Sequence, residues 1–264
     1  VIAHRWELWL VCWAAAALLL GALYLQQRRT GNATLVDFGW AASVALGAIL
    51  AAVLGPGDAA HRALIGTIGA AENLRIAWLV LGRAGEEDTR YRELRRRWRE
   101  RGREQVTFAI FYQAQALLAA LLATVFVLAA FARGGLGPLA WAGAALWLAA
   151  ASLELLADAQ LRRFKSDPAN TGKTMRSGLW RTSRHPNYFF QSLTWVAYAL
   201  VALAAPWGLL GLLSPALLLV LVLFVTGIPP AEEQALRSRG EDYRRYQRET
   251  SPFVPWFPRS STES

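Results

Sequence analysis

The sequence predicts an all-α, polytopic membrane protein of about seven transmembrane helices with an interfacial C-terminal helix. Three observations predict it. Apolar residues make up 55% of the chain and are bunched into long runs rather than spread at amphipathic spacing. Those runs approach the roughly 20 residues that carry a helix across a bilayer. The basic residues, finally, fall almost wholly on one set of alternating loops.

Taken in order, the predicted spans cover about 6–25, 35–54, 63–81, 106–131, 139–157, 188–205 and 207–228. The first includes "WLVCWAAAALLLGALYL" and the fourth is "VTFAIFYQAQALLAALLATVFVLAAF". A signal peptide would end on a small-residue cleavage pattern. "QQRRTGN" follows the first run instead, which reads as a retained helix. The whole of 1–258 reads as one transmembrane domain, its catalytic half at about 106–258, with 259–264 a disordered tail.

The net charge of +9 raises nucleic acid as a partner, and the placement of the charge argues against it. Alternating the sides from an outer N-terminus leaves Arg5, Arg62 and Arg133 outside and Arg75 within a span. Every other Lys and Arg is then inside, with the C-terminus cytoplasmic. The basic character is topology plus attraction to anionic lipid. The expected setting is the inner membrane, and the expected partners are membrane lipids and a lipid substrate, without nucleic acid. Cys12 is the single cysteine, and His4, His61 and His185 lie far apart, which disfavours a metal centre. "NAT" at 32–34 matches a glycosylation acceptor, but the charge rule puts it inside.

Ionisable groups inside a bilayer are costly and face a protein interior or a wet cavity. The third span carries Glu72 and Arg75, spaced to pair on one helix face. They read as a structural ion pair or as part of a site. The fourth carries Tyr112, Gln113 and Gln115, which suit interhelical hydrogen bonds. The second opens on Asp37, with Trp40 about one turn on. The polar stretch 82–104 reads as partly helical along the membrane surface, most of its arginines solvated or touching lipid.

The fifth span is more telling. Glu154, Asp158, Arg162 and Lys165 are spaced four, four and three, which puts them on one continuous stripe of a helix. The stripe runs acid, acid, base, base from within the apolar run outward. It suits a polar ligand standing partly in the membrane, with hydroxyls or an amide held by the acids and phosphates by the bases. The next segment, "SGLWRTSRHPNYFFQSLTW", places Pro186 in the first turn of a helix, where its missing N–H is no loss. The free amides of that turn favour an anion. Arg176, Arg181 and Arg184 add charge, and Asn187 and Gln191 share a face near His185 and Tyr188. A capped helix with interfacial Arg and Tyr is the alternative. After the last span, Glu232 and Glu233 open the interfacial helix, as dipole partners or as ligands of a ribose or an adenine amine.

"ADAQLRRFKSDPANTGK", "GLWRTSRHPNYF", "EEQALRSRGEDYRRYQRETSPFVPWFP", "VDFGW" and "GEEDTRYRELRRRW", in their order along the chain, resemble the bacterial DUF1295 proteins of the steroid 5-alpha-reductase family. The resemblance runs from about residue 30 to 258. Isoprenylcysteine methyltransferases and sterol reductases carry similar segments. The resemblance implies a multi-helix fold enclosing NADPH and a flat lipid, and reduction of a carbon–carbon double bond conjugated to a ketone. It places Asp158, Arg162, Lys165, Asn187 and Tyr188 at cofactor positions, with Glu154 where the steroid-reducing branch has Asn and Lys165 where it has Arg. That branch uses an acid and a Tyr from its early spans, for which Glu72, Asp37 and Tyr112 are the candidates here. The chain departs from the family at Gln191 (commonly Glu), Thr182 (Tyr) and Phe190 (Gly), which weakens the expected cofactor contact. A lipid methyltransferase using S-adenosylmethionine and a non-catalytic lipid-binding relative are the competing readings.

Overall fold

A computed structural model describes residues 1–82 and 85–259. Most of the proposed disordered tail, 260–264, lies outside the described residues, as do positions 83 and 84 of the stretch 82–104. Among the described residues the regular structure is helical and no strand forms. The α-helices are α1 (Arg5–Thr30), α2 (Leu35–Leu54), α3 (Ala59–Leu81), α4 (Thr89–Glu100), α5 (Glu104–Ala129), α6 (Pro138–Ser166), α7 (Pro186–Ala202), α8 (Leu213–Val220) and α9 (Ile228–Glu249). Among the described residues six helical runs are long and apolar enough to span a bilayer: α1, α2, α3, α5, α6 and the apolar first part of Gly208–Glu249. The protein is an all-α polytopic membrane protein.

Two of the seven expected spans differ in detail. α7 has only 17 residues, about 25 Å at 1.5 Å per residue, short of the roughly 30 Å hydrocarbon core. It ends before 205 because Pro206 disfavours helical geometry in the residue ahead of it, and Trp207 turns the chain with φ +69°. The last span is a 3₁₀ turn (Gly208–Leu212), then α8, then a π-helical turn (Leu221–Val225). There the Thr226 N–H reaches back to the Leu221 carbonyl at 2.8 Å. Pro229 and Pro230 follow, with no N–H to continue the ladder.

The chain forms two compact units. Unit 1 holds 1–144 and 198–214. Its core is built on close helix approach through small residues, since apolar side chains gain little from leaving lipid for protein. A Cβ on Gly66 would lie 2.5 Å from the Ala52 Cβ, and one on Gly69 2.8 Å from the Phe126 ring. Ala41, Val44, Ala45, Ala48 and Ala51 of α2 are all buried there. Leu20, Val36, Phe108 and Tyr112 form a second cluster, into which Tyr91 of α4 inserts.

Unit 2 holds 145–197 and 215–264. The loop after α6 folds back on that helix. Trp180 donates its indole N–H to the Ala157 carbonyl at 2.9 Å, and Gln160 accepts from the Leu179 N–H at 3.0 Å. Gly178 makes the turn, with φ +59° and no room for a Cβ beside Gln160. In α9, Gly240 breaks the helical geometry, with φ 53° and ψ −123°. Beyond the break Tyr243 and Tyr246 are buried. The Tyr246 hydroxyl donates to the Trp180 and Ser183 carbonyls, fastening α9 to the loop.

Candidate functional site

α6 continues unbroken through its polar stripe, and burial grades along it. Glu154 is 4% exposed, Asp158 is half-buried, and Arg162 and Lys165 are exposed. At the start of α7 the Asn187 amide donates to the Asp158 carboxylate at 3.2 Å. This bond ties the polar end of α6 to the first turn of α7, so the two elements singled out separately in the sequence meet through the residues expected to act together. Pro186 occupies the first position of α7. Gln191 is half-buried one turn beyond Asn187, and Phe190 is 8% exposed, packed edge-on against Phe189. Thr182 is half-buried and donates its hydroxyl to the Leu179 carbonyl at 2.9 Å.

The basic residues around this junction divide into two groups. Arg176 and Arg184 are committed within the protein. Arg176 donates to the Asp242 carboxylate at 2.7 Å and reaches Glu249 at 3.4 Å. Arg184 donates Nε to Glu232 at 2.6 Å and Nη1 to the carbonyls of Gln247 and Thr250, both at 2.9 Å. His185 lies with Nε2 3.3 Å from the same Glu232 oxygen, its ring stacked on Tyr188 at 5.5 Å and 7°. Arg162 and Arg181, by contrast, are exposed, as is Lys165, which has a contact of its own. Cations in that state can meet an incoming phosphate, whereas Arg184 is a staple for α9.

Glu232 and Glu233 separate in the same way. α9 begins at Ile228, so both acids stand just beyond its first turn and cap nothing. Glu232 accepts from Arg184, the Tyr243 hydroxyl and the Gln247 amide as well as lying against His185. Burial alone would raise its carboxyl, but the hydrogen bonds from His185 and Arg184, the Arg184 charge and the Gln247 amide prevail and hold it at about 2. Glu233 is exposed and pairs with Arg237 at 2.5 Å.

The three carbonyl-donor candidates all lie in unit 1, in different settings. Glu72, 3% exposed, is bridged to Arg75 at 2.5 Å. The Tyr112 hydroxyl lies 3.4 Å from the Ala33 carbonyl. Asp37 accepts from the Tyr91 hydroxyl at 2.5 Å and from Arg90 at 3.0 Å. Burial and the neighbouring Asp37 both raise the Tyr91 hydroxyl above its ordinary range, so it remains a proton donor. Sequence reading missed Tyr91 and, in unit 2, Asp242, Tyr243 and Gln247. Tyr91, Leu94, Arg95 and Trp98 do repeat at helical spacing, a signal that α4 has a buried face.

A family model described as "Protein of unknown function (DUF1295)" matches residues 23–250. The chain belongs to the DUF1295 family. No curated protein and no solved structure matches the sequence. The DUF1295 match covers both ends of the Asn187–Asp158 bond and all of α9, so the junction and the staple that holds it are within the family region. In chemical terms the DUF1295 junction presents a carboxylate and an amide at one point, with exposed guanidinium and ammonium groups one to two turns further along α6.

Proposed function

We propose that this DUF1295 protein is a membrane-embedded, NADPH-dependent reductase of a double bond conjugated to a ketone in a steroid-like or isoprenoid lipid. The observation that carries the reading is the Asn187–Asp158 hydrogen bond, which joins the α6 stripe to the first turn of α7. The residues fit the cofactor's chemistry. Asp158 and Asn187, with Glu154 deeper along the stripe, supply acceptors and a donor for ribose hydroxyls and an amide. Arg162, Lys165 and Arg181, exposed on the same loop-facing end, supply charge for the diphosphate and the additional phosphate. When bound, NADPH supplies a hydride for the β-carbon of the enone.

The chain's own part is orientation and charge stabilisation. The ketone oxygen gains negative charge as the double bond is reduced and requires a donor. Asp37, Glu72 and Tyr112 are the residues proposed for it. Asp37 and Glu72 are each paired with an arginine, Arg90 and Arg75, so the proton beside Asp37 is the one carried by the Tyr91 hydroxyl, which joins the set as a donor. With the basic loops cytoplasmic, the N-terminus lies outside and the cofactor meets the α6–α7 junction from the cytoplasm.

A second reading, a lipid methyltransferase using S-adenosylmethionine, draws on one observation: Arg176 and Arg184 are already engaged by Asp242, Glu249 and Glu232, leaving fewer cations for phosphate. Purified protein in detergent tests both. NADPH is expected to raise the melting temperature, and enone steroids or shorter enone lipids to drive its oxidation. A shift with S-adenosylmethionine alone would replace the reductase reading with the second one. No shift with either cofactor and no turnover would overturn both.

A further inference from the structure

The segment after α9 closes into a loop whose fastenings all lie within unit 2. The Arg184 N–H donates to the Ser251 carbonyl at 2.8 Å, and the Trp256 N–H to the Thr182 carbonyl at 2.9 Å. The Ser183 hydroxyl donates to the Phe253 carbonyl at 2.7 Å. The Arg259 N–H returns to the Glu249 carbonyl at 2.9 Å, so the strap 250–259 ends beside its own start. Under it is a cavity of ≈ 290 Å³, lined by Arg184, Arg248, Arg259, Ser251, Val254 and Trp256 among others.

The lining combines two kinds of residue. Three of them are arginines, Arg184, Arg248 and Arg259. Arg184 uses Nε and Nη1 for its partners inside the protein. Arg248 touches Glu241 at 3.0 Å in a pair exposed to solvent on both sides, a contact of little net worth that a stronger anion displaces. Glu249, the acid of the lining, is already bridged to Arg176. Val254, Trp256 and Phe257 add apolar surface that protein leaves uncovered, at 52%, 69% and 83% exposed. The strap hangs from residues 182–184, directly ahead of Pro186, where α7 starts. A Trp-Phe pair between prolines at that level suits the membrane–water interface.

We propose that this hollow binds the phosphodiester of an anionic glycerophospholipid from the adjoining leaflet. The arginines hold the phosphate and the Val254–Trp256–Phe257 wall lies along the start of the acyl chains. A small soluble anion has no use for the apolar wall, and a choline headgroup brings a cation to a basic lining. Neither Asn187 nor Asp158 is in its lining, and the proposal does not depend on the reductase reading.

The test uses the full chain in nanodiscs of phosphatidylcholine doped with phosphatidylglycerol, released for native mass spectrometry. The wild type is expected to retain one phosphatidylglycerol in preference to phosphatidylcholine. Arg248→Gln with Arg259→Gln should weaken that retention roughly thirtyfold, the loss expected for two arginines at a charged surface. Arg92→Gln with Arg101→Gln on the α4 side removes equal charge and should leave it intact. Trp256→Ala should weaken phosphatidylglycerol retention while leaving the response to soluble glycerol phosphate unchanged. Equal retention of the two lipids, equal losses from the two arginine pairs, or glycerol phosphate competing as well as the lipid would each overturn the proposal. A correctly folded double variant, judged by an unchanged melting temperature, that still holds phosphatidylglycerol would do so too.

Discussion

The two basic regions, the α4 surface of unit 1 and the α6–α9 region of unit 2, are alike in composition and different in how their arginines are held. In unit 1 the inward face of α4 is locked. Arg95, 9% exposed, bridges Glu87 at 2.7 Å and Glu104 at 2.6 Å, and Tyr91 reaches Asp37. The outward arginines, such as Arg96 and Arg97, share Glu93 in exposed pairs. In unit 2 two arginines are locked in the same manner, while Arg162 and Arg181 stay exposed next to a polar junction. A cluster of basic residues can take up an anion only where some of its charge is not already committed to the fold.

The comparison can be broken first at the junction. Asp158→Ala should lower affinity for NADPH by about 10- to 100-fold, the range for losing a hydrogen bond to a charged group. The melting temperature without cofactor should fall modestly, by the roughly 1 kcal/mol of a lost hydrogen bond to Asn187. A titration of thermal stability against NADPH checks this, and an unchanged affinity would separate α6 from the cofactor.

Next come the staples. Glu232→Ala leaves Arg184 enclosed without its carboxylate and should cost about 2–3 kcal/mol, read as a lowered melting temperature. Arg95→Met removes the cation between Glu87 and Glu104 and should cost about 2 kcal/mol. Labelling of the buried Cys12 thiol on heating reports this change directly, because Cys12 belongs to unit 1. If Arg95→Met proved neutral, the α4 network would be surface charge and the contrast would fail.

A pH series sharpens the same point. The Glu232 carboxyl is depressed from 4.5 to about 2 in the folded protein. Its stabilising effect is complete above the unfolded value and is lost as pH falls through the folded one. Melting temperature should thus decline across that acid window, and less steeply in Glu232→Gln. The smallest effect is expected at Glu93→Gln, whose side chain is 40% exposed, with no measurable change in melting temperature.

Much of the fold was legible because a bilayer forces long apolar runs to be helices. The α6 stripe was legible for a related reason: local spacing alone fixes a helix face. What sequence spacing did not carry was pairing over distance. Arg184 and Glu232 are 48 residues apart, and Asp37 and Tyr91 are 54. Which arginine finds a carboxylate depends on the path of the loops, set here by Gly178 and by the break at Gly240. The end of α7 was misjudged because hydropathy does not register Pro206, which is flanked by apolar residues.

The brevity of α7 has a consequence for the surrounding lipid. Within α7 only Val196 is exposed, so the mismatch acts where the helix ends, near the exposed Trp207, by compressing neighbouring tails or drawing polar headgroups inward. Melting temperature should therefore respond to acyl-chain length, and bilayers of shorter-chain lipids should suit this protein better than thick, sterol-stiffened ones.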